Sequence, residues 1–206
     1  TRDVLLSQLE KKVEDLTSDM ADNEKEKLRY ATIEKLAGLP ERLKELAADL
    51  VNHFENRLKL LDGKGLIVCM SRDIAVRLYD EIIKIRPNWH SDDYKKGFIK
   101  VIMTGSAADP ENYQKHIYSP IVKKEIENRM KDPQDSLKLV IVCDMWLTGF
   151  DVPSLHTMYI DKPIRAHNLI QAISRVNRVF KDKPSGLVVD YIGMARALEE
   201  AVRDYT

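Results

Sequence analysis

The chain has no excess charge of either sign: 33 lysines and arginines balance 33 aspartates and glutamates over 206 residues. Attraction to nucleic acid or to an anionic surface therefore has to be local. No apolar run approaches the ~20 residues of a membrane-crossing helix, and no signal-like segment opens the sequence, so no membrane partner is expected. Thr1 is not an initiator and opens a charged, helical pattern, which reads as a piece of a longer polypeptide. Cysteine is nearly absent. Cys69 and Cys143 each lie in or at the end of an apolar run, without histidines at metal-ligand spacing. They read as reduced core residues of a cytoplasmic protein, which excludes a disulfide scaffold and a zinc site. A P-loop is missing too. In Gly63-Lys64-Gly65 the Gly-x-x-x-x-Gly-Lys-Ser/Thr spacing is absent, and the lysine precedes a strand instead of following one.

What is present divides at about residue 62. Up to Asp62 the pattern is helical. Leu6, Leu9, Val13, Leu16 and Met20 form a heptad-like stripe, Glu24 to Leu36 a second helix ended by Gly38, and Pro40 opens a third. That third helix carries Leu43, Leu46, Ala47, Leu50, Phe54, Leu58 and Leu61 on one side. Residues 1–62 read as a helical linker or packing segment. From Gly63 short apolar runs alternate with helical spacing. Strands are expected at Gly65–Met70, Phe98–Met103, Leu137–Val142, Thr157–Asp161 and Gly186–Ile192. Helices are expected after Ser71, over Ile117–Met130, around Gln171 and over Met194–Val202. Residues 63–206 are therefore predicted to be an α/β domain with a mostly parallel sheet of about five or more strands.

In such sheets ligands bind beyond the carboxyl ends of the strands. The candidates are Ser71 and Arg72, then Thr104, Gly105 and Ser106, then the run Asp144 to Pro153. Thr148-Gly149-Phe150-Asp151-Val152-Pro153 offers a hydroxyl, a close backbone approach and a carboxylate; a structural turn capped by Asp151 would use the same residues. Around the later helix, at about 100° per residue, Leu169, Ile170, Ile173 and Val176 share one face. Gln171, Arg175 and Arg178 share a stripe opposite. Two guanidiniums a turn apart, with a carboxamide a turn earlier, suit a polyanion, although any surface helix has a polar stripe.

Together these segments resemble a known family. Thr-Gly-Phe-Asp-Val-Pro at 148–153 followed by Gln-x-x-x-Arg-x-x-Arg at 171–178 is similar to motifs V and VI of the second RecA-like domain of superfamily two helicases and translocases. With Tyr159-Ile160-Asp161-Lys162-Pro163, His167 to Ala172, Arg175 to Lys183 and Val189-Asp190-Tyr191, the chain closely resembles the motor subunit of type I restriction enzymes. The resemblance spans Gly63 to about Tyr205, with Asn52-His53-Phe54 as an outlying match.

The resemblance implies a RecA-like three-layer fold and a set of roles. Arg175 and Arg178 would be arginine fingers on the β- and γ-phosphates of ATP, with Gln171 ordering water or phosphate. Gly149 and Asp151 would lie near the nucleotide, the aspartate accepting from ribose hydroxyls. Ser71, Arg72, Thr104, Gly105 and Thr148 would touch the backbone of double-stranded DNA. ATP with Mg2+ would be held mainly by a first RecA-like domain of the same parent chain, because this sequence has neither Walker A nor Walker B. It also has no nuclease core, so the implied parent, an ATP-dependent deoxyribonuclease, would cut with a separate nuclease domain and assemble with methylation and specificity subunits. Ser174 and Asn177 replace glycines that many relatives place before the two arginines, which disfavours an RNA helicase. The competing class is an assembly module with no part in hydrolysis; a repair or RNA helicase is the third. Trp146 is either a stacking wedge or a core residue, and His90 and His116 read as surface. Arg165, Lys181 and Lys183 could track phosphate, and Asp190 reads as a structural acid.

Overall fold

The computed structural model describes residues 22–143, 145–146, 151–164, 166–178, 180 and 185–193. The expected heptad stripe Leu6–Met20 and the closing helix Met194–Val202 lie outside the described residues. So do Thr148 and Gly149 of the turn and the basic residues Arg165, Lys181 and Lys183.

Helix α1 (Asp22–Ala37) ends where Gly38 N–H reaches back to Glu34 O, 2.9 Å. Pro40 then occupies the first turn of α2 (Pro40–Leu60), where its missing N–H costs nothing. Leu43, Leu46, Ala47, Leu50, Val51 and Phe54 form the buried stripe of α2. Each large apolar side chain so enclosed stabilises by about 1.5–3 kcal/mol. They share one core with Ile74, Ala75 and Leu78 of the next helix and with Ile67 and Tyr159 of the sheet.

The sheet has five strands in the order β2-β3-β1-β4-β5: β1 (Lys64–Cys69), β2 (Ile99–Ile102), β3 (Leu139–Val142), β4 (Leu155–Asp161) and β5 (Leu187–Asp190). Every pairing is parallel, and β1 lies at the centre with Ile67 opposite Ile141 on one side and Tyr159 on the other. Strand β1 is buried on both faces, as an uninterrupted apolar run requires. Its residues alternate between two cores. Ile67 and Cys69 face α2 and α3 (Arg72–Ile85), whereas Leu66 and Val68 face α5 (Pro120–Lys131) and α6 (Ala166–Val176). Helices on both sides of a parallel sheet give the three-layer α/β architecture expected from the alternating pattern.

Two local expectations are corrected. The helix predicted from Ile117 begins at Pro120, because Ser119 accepts from Val122 N–H (3.3 Å) and caps it there; a short helical turn, α4 (Glu111–Gln114), precedes it. His116 is not a surface residue: it is 3% exposed, edge-on to the Tyr79 ring at 4.7 Å.

The carboxyl edge of the sheet is gripped by the elbow between α1 and α2. Tyr30 donates to Met70 O (3.3 Å), Arg77 to Gly38 O (2.7 Å), and Arg42 to Ala37 O (3.0 Å) and both oxygens of Asp161. At the opposite edge Lys64 is fully buried and donates to the carbonyls of Asp135 (3.0 Å), Arg129 (3.4 Å) and Leu137, closing the end of α5 onto the start of β1. Burial draws its ammonium down to about 8.

Candidate functional site

The described residues singled out from sequence gather into two groups, one at the carboxyl edge of the sheet and one where the chain enters β4 and leaves α6. The first follows β1 and β2. Ser71 is the N-cap of α3, its hydroxyl accepting from Ile74 N–H at 3.4 Å. Arg72 leaves the first turn of α3 and forks onto Asp109, 2.8 and 3.1 Å, while also donating to Thr104 O at 3.0 Å. Ser71, Arg72, Thr104 and Gly105 are thus neighbours, as expected. Arg72 is not an open cation, however. Its charge is met by Asp109, whose carboxyl is held below its usual range by that guanidinium and by the N–H of Ser106.

The loop from Thr104 to Asp109 is shaped from below by Gln114. Its amide donates to the carbonyls of Ser106 (3.1 Å), Ala107 (3.3 Å) and Asp109 (2.8 Å). A side chain at Gly105 would meet Ile117 at 2.5 Å, so only glycine lets the loop sit this close to the chain after α4. Thr104, Gly105 and Ser106 face solvent. Asp109 and Gln114 were not foreseen. Asp109-Pro110 ahead of a short helical turn was the available signal, and it reads as an ordinary turn.

The second group joins the loop before β4 to the end of α6. Helix α6 lays Ala172 and Val176 into the core, with Ile173 partly buried beside them. Gln171 and Arg175 lie half-buried on its other side. The helix stops at Val176, so Arg178 is not one more turn of the same stripe. Asn177 N–H still reaches Ile173 O (3.0 Å), and its carboxamide oxygen accepts from Gly186 N–H (3.2 Å), tying the backbone after α6 to the approach of β5. Arg178 then turns back, its Nη1 2.6 Å from Asp151 Oδ2. Residues from the two helicase-like motifs therefore meet directly.

Asp151 Oδ1 and, separately, Arg175 Nε are enclosed and have no hydrogen-bond partner among the described residues. Buried polar groups are seldom left this way. The Asp151 acceptor beside its ion-paired guanidinium, and the Arg175 donor on α6, are of the types that a ligand with both hydroxyls and anionic oxygens would use. Among the described residues no three His, Cys, Asp or Glu side chains gather to hold a metal ion.

The remaining candidates resolve as structure. Asp190 accepts from Ile192 N–H (2.9 Å) and Gly193 N–H (3.0 Å), closing the turn after β5. Trp146 is half-buried against the α5–α6 side of the core, with its backbone at φ 69°. Cys69 is buried and Cys143 half-buried, both as thiols; burial pushes the Cys69 thiol up, and the neighbouring Asp161 charge adds to it. His90 is half-buried and bonds the Tyr79 hydroxyl at 2.6 Å.

Comparison with known proteins gives this edge its context. Residues 86–193, just over half of the chain, match the family model described as type I restriction enzyme subunit R domain 3. The type I restriction enzyme HindI endonuclease subunit of Haemophilus influenzae is 56% identical over 176 residues, 84% of this chain and 17% of that protein. A relative from Methanocaldococcus jannaschii, described as the MjaIXP endonuclease subunit, is 46% identical over 197 residues, 94% of this chain and 18% of its own length. The chain thus spans about a sixth of the length of these curated relatives. Among solved structures, a fragment described as an HsdR subunit of a type I restriction enzyme from Vibrio vulnificus superposes with a TM-score of 0.55 at 14% identity, covering 77% of this chain and 29% of that one. At that identity the match speaks for the fold. The matched segment runs from before β2 to the turn after β5 and contains the Asp151–Arg178 meeting point, and on that basis the chain belongs to the domain 3 family of the type I restriction enzyme R subunit.

Proposed function

We propose that the chain is the second motor domain of an ATP-dependent, duplex-DNA-translocating restriction subunit. The observation that carries this reading is the convergence of Asp151 and Arg178, with Asp151 Oδ1 enclosed and without a hydrogen-bond partner among the described residues. Arg175 and Arg178 act as fingers on the phosphates of ATP, where fixed guanidiniums offset the charge that builds in the transition state. Gln171, one turn before Arg175, orders water or phosphate. Asp151 accepts from the ribose through the oxygen that Arg178 leaves unused, and Gly149 allows close approach. Mg2+, held mainly by the first RecA-like domain, supplies further charge neutralisation on the phosphates.

Duplex DNA runs past the other group. Thr104, Gly105 and Thr148 offer hydroxyl and backbone donors to phosphate, and Arg72 contributes its charge when phosphate competes with Asp109. Ser71 acts indirectly, by capping the helix that carries Arg72. Methylation and specificity subunits, the nuclease domain and a cytoplasmic setting complete the proposed context. The α/β unit starts at Gly63, and the helices before it serve as the connection to the preceding part of the subunit.

The test is DNA-stimulated ATP hydrolysis and strand-displacement translocation by the full-length subunit in its assembled enzyme. Replacing Arg175 and Arg178 together by alanine is expected to abolish both while duplex binding persists. The 206-residue chain alone, having only half of the site, is expected not to hydrolyse ATP. Turnover within a few-fold of the parent by the doubly substituted enzyme would remove the motor reading and leave the assembly module.

A further inference from the structure

Helices α1 and α2 carry none of the residues assigned above to ATP or DNA, yet their elbow holds the loop after β1 and the end of β4, from which the chain enters α6. On one side Tyr30 reaches Met70 O (3.3 Å), directly before Ser71 and Arg72, and Arg77 links Gly38 O (2.7 Å) to Asp73 (3.0 Å) in the first turn of α3. On the other side Arg42 closes a two-pronged pair on Asp161, the last residue of β4. The Asp161 side chain is 0% exposed and that of Arg42 20%. A carboxylate so enclosed has to be paired, so the elbow and the end of β4 move as one body while the domain stays folded.

Little slack separates that body from the finger helix. Four residues lie between Asp161 and the first residue of α6, among them Pro163 with its fixed φ and Ile164 buried on the opposite face of the sheet. A displacement of Asp161 is passed to α6 instead of being absorbed in a loose connection.

We propose that Arg42 is a positioning residue: through Asp161 it sets where α6 holds Arg175, so that movement of the helices preceding the α/β unit becomes movement of the fingers. Because the same elbow holds Met70 and Asp73, the DNA-side group is carried by the same body, and the elbow is where the two sites are coupled. This rests on the motor reading above.

The variants are made in the full-length subunit and assayed in the assembled enzyme. Arg42→Met with Asp161→Asn replaces the pair by uncharged groups of similar size and leaves no buried charge unpaired. Its DNA affinity is expected to stay near the parental value, and its melting temperature to fall by only a few degrees, the cost of an unpaired but uncharged amide. Its kcat for DNA-stimulated ATP hydrolysis is expected to fall on the order of tenfold to a hundredfold, the penalty of a small misplacement of catalytic groups, with KM for ATP nearly unmoved. Arg42→Lys keeps the charge and loses the fork, and its kcat should fall in between. A paired variant that turns over like the parent overturns the proposal, as does a loss confined to KM. If the paired variant does not fold, Arg42→Lys decides by the same split. Arg178→Ala, run alongside, separates the two readings. If it is inactive while the paired variant is parental, the coupling alone is wrong; if it turns over normally, the motor reading fails and takes the coupling with it.

Discussion

Arg178 offers the sharpest separation between a structural and a catalytic role, because its bond to Asp151 has a small value. The Nη1–Asp151 pair is 2.6 Å long, and both side chains are 45% exposed. A pair so open to water and salt contributes roughly 0.2–1 kcal/mol. In a chain of this size 1 kcal/mol moves the melting temperature by roughly 2–4 °C, so Arg178→Ala is expected to lower it by no more than that. The same substitution removes a finger, whose loss costs about 10³ to 10⁵ in turnover, equivalent to roughly 4–7 kcal/mol of transition-state stabilisation. The catalytic effect should therefore exceed the structural one several-fold in free energy. Arg178→Lys sharpens the comparison. An ammonium can still meet Asp151, so the melting curve should not move, but a point charge does not reproduce the planar fork and turnover should stay low. The measurements are DNA-dependent ATPase rates for the full-length subunit and a thermal melt of each variant. If Arg178→Ala melts within a few degrees of the parent and hydrolyses ATP within a few-fold of it, the finger assignment is refuted. The pair with Asp151 would then be an ordinary surface contact.

Two further outcomes follow from the packing. Burial lowers His116 to about 4, helped by the nearby Lys115 charge, against an unfolded value of 6.5. Between these values the unfolded chain binds the extra proton, so stability is full above pH 6.5 and falls as the pH drops toward 4, by up to about 3 kcal/mol. Urea unfolding at several pH values should show that slope in the parent and lose it in His116→Phe, which keeps the edge contact with Tyr79; parallel curves for the two proteins would be the adverse result. Gly186→Ala would drive its new methyl to 2.3 Å from the Val176 carbonyl oxygen, at the joint between α6 and β5. The backbone there has to shift, at a cost of about 1–3 kcal/mol. Differential scanning calorimetry should show a loss of several degrees, and an unchanged melt would mean that the joint is looser than drawn.

The elements were legible where one local pattern had one structural solution. The run Gly65–Met70, apolar at every position, could only be a strand covered on both faces, and Ser71 and Pro40 marked helix starts where helices do start. The candidate site was legible in part. Ser71, Arg72, Thr104 and Gly105 come together because they follow the carboxyl ends of β1 and β2 in one parallel sheet, and Arg72 spans the width of β3 between them to reach Thr104 O. Their partners were not visible, since pairs such as Arg72–Asp109 and Arg42–Asp161 are separated by 37 and 119 residues and carry no periodicity. Arg178 was misplaced for a related reason. A helical projection assumes that the helix continues, whereas α6 stops at Val176 and Asn177 is tied to Gly186 by a hydrogen bond distant in sequence. Burial of Lys64 was equally hidden, because three distant carbonyls make the site for its ammonium.

The placement of β1 between β3 and β4 also bears on how the chain comes off the ribosome. Of the five described strands of this sheet the first in sequence is the innermost, and its earliest neighbour, Leu139 opposite Gly65, lies 74 residues downstream. At ~5–20 residues per second, that wait lasts roughly 4–15 s. Throughout it Leu66, Ile67, Val68 and Cys69 have helices to lean on but no strand to pair with. An unpaired apolar strand is a template for another nascent chain of the same kind. Assembly of this sheet should accordingly depend on chaperone capacity, with the yield of soluble protein rising when translation is slowed or the temperature lowered.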